Sequence, residues 1–386
     1  MSFGPHPEWA AFEAWRDAQP AADPMLPVAP DAVTMQMYTS GTTGHPKGAQ
    51  LTHRNFLTIF ETAARDWGRW GADDVLIVAM PLFHVAGGQW GQLGLYVGAE
   101  NVVMPEVDPG AILRVIAGQK VTKALFVPAV LLFLVQHPDC AKTDFSSLQT
   151  VYYGASPIPL DLQKRAAEAF GCEFVQLYGA TETTGAITYL APEHHRGERM
   201  KSCGKAIASA EIRVVRADGT PCAPREVGEV ICRSAQNMPG YWNLPEANAR
   251  AIRGEWLHTG DAGWLDEDGF LYIHDRMKDM IVSGGENVYP AEVESAIFGC
   301  PGVADVAVIG VPDDTWGEAV KAVVVRAPGA RLTAEEVIAF AREQIAGYKL
   351  PKSVDFIDAL PRNPSGKILK RELRKPYWEG RERQVN

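Results

Sequence analysis

Apolar positions in this chain come in short runs set between stretches of helical spacing, and the alternation repeats through most of its first half. The runs 75–83, 101–104, 123–127, 150–153 and 173–177 have the length and composition of strands, and 32–38 is a further apolar run ahead of them. The stretches 51–67, 109–119 and 160–170 carry apolar residues three and four apart and read as helices. Strands alternating with helices predict a largely parallel sheet covered by helices. Such a sheet presents its ligands at the carboxyl ends of its strands.

After about residue 196 the texture changes. Residues 210–216 and 228–234, with the Asp218-Gly219 turn between them, predict an antiparallel hairpin, and 269–273 one more strand. A charged run, Asp275-Arg276-Met277-Lys278-Asp279, then separates two apolar segments. Beyond it come a helix at 290–298, strands at 303–309 and 320–325, a helix opened by the Thr333 to Glu336 capping box, and a strand at 353–357. At the other end, Trp9, Phe12 and Trp15 are spaced for one face of a short helix, and 18–31 reads as an irregular connector. The expected class is α/β: a mostly parallel sheet layered with helices, a small β subdomain at about 196–275, and a separate α+β C-terminal domain.

Composition narrows the function. With 386 residues, 46% hydrophobic and 22% charged, there is room for two or three domains and a substantial core. No run approaches the roughly 20 apolar residues that span a bilayer, and 1–17 has no signal-peptide pattern, so the cytoplasm is the default location. The six cysteines, Cys140, Cys172, Cys203, Cys222, Cys232 and Cys300, form no Cys-x-x-Cys pair and read as reduced thiols rather than a disulfide frame or a zinc site. A net charge of −10 argues against nucleic acid as a partner.

The densest chemistry lies between Tyr38 and Gly48. Gly41, Gly44 and Gly48 permit close approach of backbone to a bulky anion, Thr39, Ser40, Thr42 and Thr43 add hydroxyl donors, and Lys47 adds a positive charge. This suits a polyphosphate, although the P-loop pattern is absent: Pro46 precedes Lys47 and Gly48 follows it. A Ser/Thr/Gly surface turn is the plain alternative.

This stretch resembles the phosphate-binding signature of the adenylate-forming superfamily: acyl-CoA synthetases, luciferases and peptide-synthetase adenylation domains. Further matches follow in the family's order. Tyr178-Gly179-Ala180-Thr181-Glu182 resembles the adenine and metal motif, which implies a stacking role for Tyr178 beside Gly179, phosphate contact and catalysis by Thr181, and a catalytic Mg²⁺ ligand in Glu182. Asp261, in Trp256-Leu257-His258-Thr259-Gly260-Asp261, and Arg276 fall on the ribose contacts, and Lys278 on the position about which the small domain swings. Lys367, in Asn363-Pro364-Ser365-Gly366-Lys367, matches the catalytic lysine; a basic tail is its plain alternative. Gly284, Gly285 and Glu286 match the segment along which the pantetheine of CoA passes, a β-turn being the alternative.

For the acid, Met80 to Gly88 places His84 among apolar neighbours where amino-acid-activating relatives have an aspartate, which favours an acid without an α-amine. Gly154 and Ala155 resemble the floor of the acyl pocket, their small size leaving volume for a chain or ring.

The resemblance thus implies a large AMP-binding domain over 1–275, a hinge over 276–280 and a mobile domain over 281–386. It also implies an acyl-CoA synthetase using ATP, Mg²⁺ and CoA, with a medium- or long-chain fatty acid leading and an aryl acid close behind. Adenylation for a carrier protein, or a shortened protein that only binds nucleotide or acyl-adenylate, stay open. Family members carry on the order of 150 further residues, about a domain's worth, ahead of the phosphate loop. Here 37 precede it, so a homodimer or a partner carrying the missing N-terminal segment is also open.

Overall fold

A computed structural model describes residues 8, 10–23, 25–39, 46–363 and 366–379, without the side chain of Lys278. Trp9 therefore lies outside it, while Phe12 and Trp15 share a face of α1 (Phe12–Asp17), their ring centroids 6.0 Å apart. Strands β1 (Val33–Thr39) and β2 (Lys47–Thr52) pair antiparallel, Thr39 opposite Lys47. A strand, β2, rather than a helix therefore follows residues 40–45, which lie outside the described residues. Helix α2 (His53–Asp66) starts only after β2, where the Thr52 side chain accepts from Asn55 N and the Asn55 side chain accepts from Thr52 N. The sequence hid β2 because Lys47-Gly48-Ala49-Gln50 mixes small and polar residues.

The main sheet has seven strands. In chain order come β3 (Val75–Val78), α3 (Val85–Val97), β4 (Glu100–Val103), α4 (Pro109–Gly118), β5 (Lys123–Phe126), α5 (Pro128–Gln136), β6 (Thr150–Gly154), α6 (Leu160–Phe170), β7 (Glu173–Ala180), β8 (Gly185–Leu190) and β9 (Lys205–Ala206). Their order across the sheet is β4-β3-β5-β6-β7-β8-β9, parallel through β7 and antiparallel beyond it. Alternation along the strands feeds two cores. Leu76 and Tyr152 pack with Trp90 of α3 on one face; Ile77 and Val151 pack with Ile112 and Leu131 on the other. The run 75–83 does not continue as a strand past Val78. It turns into α3, a helix with four glycines, and at Gly87 a Cβ would lie 2.2 Å from the Met80 carbonyl oxygen. Glycine there is what lets the helix fold back onto its own entry.

Next come β10 (Ala210–Val215), β11 (Gly228–Ser234), β12 (Gly240–Tyr241), α7 (Pro245–Ala251), β13 (Ile252–Arg253), β14 (Trp256–Leu265) and β15 (Leu271–Arg276). β12 joins β2, and the others form a β10-β11-β14-β13 sheet with β15 along β14. The elements of the C-terminal domain are β16 (Ile281–Ser283), β17 (Glu286–Val288), α8 (Pro290–Phe298), β18 (Val303–Asp313), β19 (Gly317–Arg326), α9 (Ala334–Arg342), β20 (Ser353–Ile357) and α10 (Lys370–Trp378). They form a separate sheet, β17-β16-β19-β18, with β20 parallel to β19. Leu132 of α5 and Leu162 of α6 enter the same apolar cluster as Ile281, Val293 and Val306, so this domain is packed against the main sheet's helices. Among the described residues no helix is long and apolar enough to cross a membrane.

Candidate active site at the end of strand β7

Strand β7 shifts its register against β8 between Tyr178 and Gly179, and the chain then turns through Thr181-Glu182-Thr183. A Cβ on Gly179 would lie 1.9 Å from the Gly185 carbonyl oxygen, so only glycine allows the two backbones to meet here. The turn is held by Gln236, fully buried, whose amide donates to the carbonyls of Thr183 (2.9 Å) and Ala186 (2.7 Å). Thr184 Oγ1 donates to the Gln236 carbonyl at 2.7 Å. A clamped turn fixes where Thr181 and Glu182 stand.

Asp261 and Arg276 are cross-strand neighbours on β14 and β15. Arg276 Nε lies 3.0 Å from Asp261 Oδ1, and the Tyr178 hydroxyl donates to Asp261 Oδ2 at 2.7 Å. Burial raises the Asp261 carboxyl above its usual value, with Arg276 pulling the other way. Burial, then the adjoining Asp261, pushes the Tyr178 phenol well up. Glu182 Oε1 accepts from the Tyr241 hydroxyl at 2.8 Å and faces Thr39 Oγ1 at 3.5 Å. Lys47 Nζ sits 5.3 Å from the centre of the Tyr241 ring. Asn248 of α7 fixes Tyr241 in turn, accepting from its N–H at 2.6 Å. Arg276 also feels the charge of Glu182, which ties the two halves of the cluster together.

The structure therefore brings Thr39, Lys47, Tyr178, Gly179, Thr181, Glu182, Asp261 and Arg276 to one end of the sheet. Ser40, Gly41, Thr42, Thr43 and Gly44 lie outside the described residues. Tyr241 and Gln236 were missed by sequence reasoning. The weak local signal was the Pro239-Gly240 turn ahead of Tyr241.

Lys367 arrives from the C-terminal domain. Its N–H donates to Asn363 Oδ1 at 2.9 Å, and Asn363 N donates to the Lys367 carbonyl at 3.0 Å. A Cβ on Gly366 would lie 3.2 Å from Ala129 Cβ and 3.3 Å from Val127 Cγ2, so Gly366 lies against the start of α5. The lysine's charge pulls the pKa of both Asp261 and His84 down, although burial outweighs it at Asp261. His84 caps α3, its Nδ1 accepting from Ala86 N at 3.2 Å. That bond needs an unprotonated Nδ1, and burial followed by Lys367 holds the imidazole below its usual pKa.

Two expectations change in meaning. A Cβ on Gly154 would lie 2.0 Å from the Leu177 carbonyl oxygen, so glycine at 154 serves the close approach of β6 and β7 and opens no volume for a substrate. Ala155, at φ +67°, is the turn residue that follows. Gly284 and Gly285 form the turn between β16 and β17, with Glu286 paired to Ser283. The Trp316 ring covers Gly284, where a Cβ would lie 2.6 Å from Cε3. Trp316 itself is 45% exposed, with Lys352 Nζ 5.1 Å from its ring centre. Lys278 lies in the turn Met277–Asp279 that joins β15 to β16. Among the described residues, no group of three or more His, Cys, Asp and Glu side chains could hold a metal ion. A single carboxylate, Glu182, suits only a cation that takes its other ligands from phosphates and water.

Comparison with known proteins places these features in context. Residues 3–242 match the family described as AMP-binding enzyme, and residues 292–367 the AMP-binding enzyme C-terminal domain. The fatty acid–[acyl-carrier-protein] ligase ScoC of Streptomyces coeruleorubidus is 40% identical over 382 residues, covering 97% of this chain and 74% of that protein. A feruloyl-CoA synthase of an Amycolatopsis species is 42% identical over 367 residues, covering 94% and 73%. Among solved structures, ATP-bound MatB from Rhodopseudomonas palustris superposes with a TM-score of 0.85 at 33% identity, covering 94% of this chain and 71% of that one. The chain thus spans about three quarters of the length of these relatives.

Proposed function

The chain belongs to the AMP-binding enzymes, and from that premise we propose that it is an acyl-CoA synthetase that activates a fatty acid in two steps. In the first, a carboxylate oxygen of the acid attacks the α-phosphorus of ATP, the bond to the β-phosphate oxygen breaks, and pyrophosphate leaves an acyl-adenylate behind. In the second, the CoA thiol loses its proton, attacks the acyl carbonyl and expels AMP.

The observation that carries this reading is the cluster of Tyr178, Asp261 and Arg276 at the end of β7, with Gly366, next to Lys367, seated against the start of α5. Lys367, carried on the C-terminal domain, adds a positive charge that acts on Asp261. Negative charge builds on the α-phosphate as the carboxylate approaches, and a positioned ammonium stabilises it most where water is excluded. Asp261 would accept from the ribose hydroxyls, with Arg276 beside it, and the Tyr178 ring would lie against the purine. Lys47 and the hydroxyls of 39–43 would face the phosphates. Glu182 would hold Mg²⁺ together with phosphate oxygens, and the ion's charge would neutralise the leaving pyrophosphate. For the second step, the Gly284-Gly285 turn beside Trp316 would meet CoA after the domain of 281–386 rotates about 276–280. His84, neutral and set among apolar residues, supports an acid without an α-amine.

Similarity to a fatty-acid ligase and, at the same level, to a feruloyl-CoA synthase supports a fatty acid with an aryl acid as second reading. The test is AMP formation from ATP and MgCl2 with a panel of straight-chain and aryl acids, with and without CoA. Acid-dependent AMP and a thioester of CoA are expected. AMP and acyl-adenylate that pass to an acyl carrier protein but not to CoA would shift the acceptor. No acid-dependent AMP at all would remove the catalytic reading.

A further inference from the structure

We infer that Asp275 is a positioning residue, a carboxylate that holds the C-terminal domain in the arrangement seen here, with Gly366, next to Lys367, against the start of α5. The inference rests on the two-step reading above. Asp275 is the next-to-last residue of β15 and lies opposite Ala262 on β14, so its backbone belongs to the sheet that carries Asp261 and Arg276. Its side chain points the other way, into the C-terminal domain. Oδ2 accepts from Ala291 N at 3.1 Å, in the first turn of α8, a helix that receives no side-chain cap from its own Tyr289. The same oxygen lies 3.7 Å from Lys370 Nζ, which also binds Glu294 Oε1 at 2.8 Å. The three side chains are 10%, 16% and 15% exposed, so water screens them little.

Lys370 opens α10 three residues after Lys367, and Leu369 N donates to the Pro361 carbonyl at 2.8 Å. What fixes Lys370 therefore fixes the Lys367 loop. Around this contact His274 stacks on Tyr289, ring centroids 4.5 Å apart and planes 16° from parallel, and Arg374 pairs with Asp279. Everything Asp275 touches beyond residue 280 would travel with the rotating domain, while Asp275 itself would stay. Rotation about 276–280 must break the bond to Ala291 and the attraction to Lys370 together. The clasp favours adenylation and opposes the thioester-forming arrangement.

The experiment compares wild type with Asp275→Ala, and with Asp275→Asn, which keeps an oxygen for Ala291 N but loses the charge. The first half-reaction is measured as acid-dependent pyrophosphate release, the second as thioester formation from supplied acyl-adenylate and CoA. For Asp275→Ala, kcat of pyrophosphate release is expected to fall about tenfold, the size of one lost charged contact, with KM for ATP within about twofold. Thioester formation should hold or rise, and Asp275→Asn should fall between. Equal loss in both halves, or no loss in the first, would overturn the inference. Hydrogen exchange of the ligand-free protein tests the clasp independently of activity. The Ala291 amide should exchange about tenfold faster in Asp275→Ala, and unchanged protection there would overturn the clasp even in an active enzyme. If wild type released no pyrophosphate with any acid, the two-step reading would fail while hydrogen exchange still decided for or against the clasp.

Discussion

Replacing Asp261 with asparagine isolates what a carboxylate does at the proposed ribose site. The change keeps size and one acceptor oxygen, and removes the charge and the second acceptor. In the ligand-free protein its cost should be small. Arg276 loses an ion-pair partner, but its side chain is 39% exposed and water can take over, so the pair is worth at most about 1 kcal/mol. Burial already disfavours the Asp261 charge, which offsets part of that loss. With ATP bound, the carboxylate would accept from two ribose hydroxyls, and a hydrogen bond to a charged group contributes about 1.5–3 kcal/mol. Losing one such bond predicts ATP binding weaker by about 10- to 150-fold. Calorimetric titration with MgATP measures this, and a thermal melt checks that the variant stays folded. A second comparison makes the reasoning specific: wild type should discriminate against 2′,3′-dideoxy-ATP, and Asp261→Asn should lose most of that discrimination. A folded variant that binds ATP as wild type does, or that still penalises the dideoxy nucleotide fully, would refute the ribose assignment.

Two further outcomes follow from the same geometry. Lys367→Ala should lower acid-dependent pyrophosphate release by about 100-fold or more, the scale of losing one transition-state charge partner, while calorimetry shows ATP affinity little changed; undiminished release would take Lys367 out of the chemistry. Burial also holds the imidazoles of His84, His195 and His274 below their usual 6.5, so the unfolded chain takes up their protons first as pH falls. Their stabilisation is complete above about 6.5 and is lost as pH drops through the folded-state values, whereas Asp261 and Glu294, raised by burial, act in the opposite sense. His195→Gln should therefore show a smaller fall in thermal midpoint between pH 7 and 5 than wild type, and parallel slopes would contradict the assignment.

Where local pattern and tertiary demand agree, the elements could be read directly from the chain. Helices 160–170 and 290–298 and the strand 353–357 fall where spacing put them. The hairpin of β10 and β11 stands on its Asp218-Gly219 turn, with Ala210 opposite Ser234. Two helices left no periodic trace. α5, Pro-Ala-Val-Leu-Leu-Phe-Leu-Val-Gln, is apolar on almost every side because it is wedged between the main sheet's core and the C-terminal domain. α3 is interrupted by glycines that its close packing requires. A uniformly buried helix and a glycine-rich one both lack the polar stripe that periodicity detects.

The site shows the same division in sharper form. Each motif announced a residue type and a task, because a hydroxyl, a carboxylate or a lysine next to glycine has few uses that need the glycine. None announced its partner. Tyr178 meets Asp261 across 83 positions of sequence, and Glu182 meets Tyr241 across 59. These pairings depend on the register shift of β7 against β8 at Tyr178 and Gly179 and on β12 joining β2, which no local pattern encodes. Nor did the charged run 275–279 reveal that its first and second members face opposite ways. On adjacent positions of one strand, Arg276 turns to Asp261 and Asp275 to Lys370. One step of the pleat therefore separates a residue that would hold nucleotide from one that would hold the domain delivering the lysine. Substitutions at 275 and 276 should then separate catalytic arrangement from nucleotide affinity, although the two residues share a peptide bond.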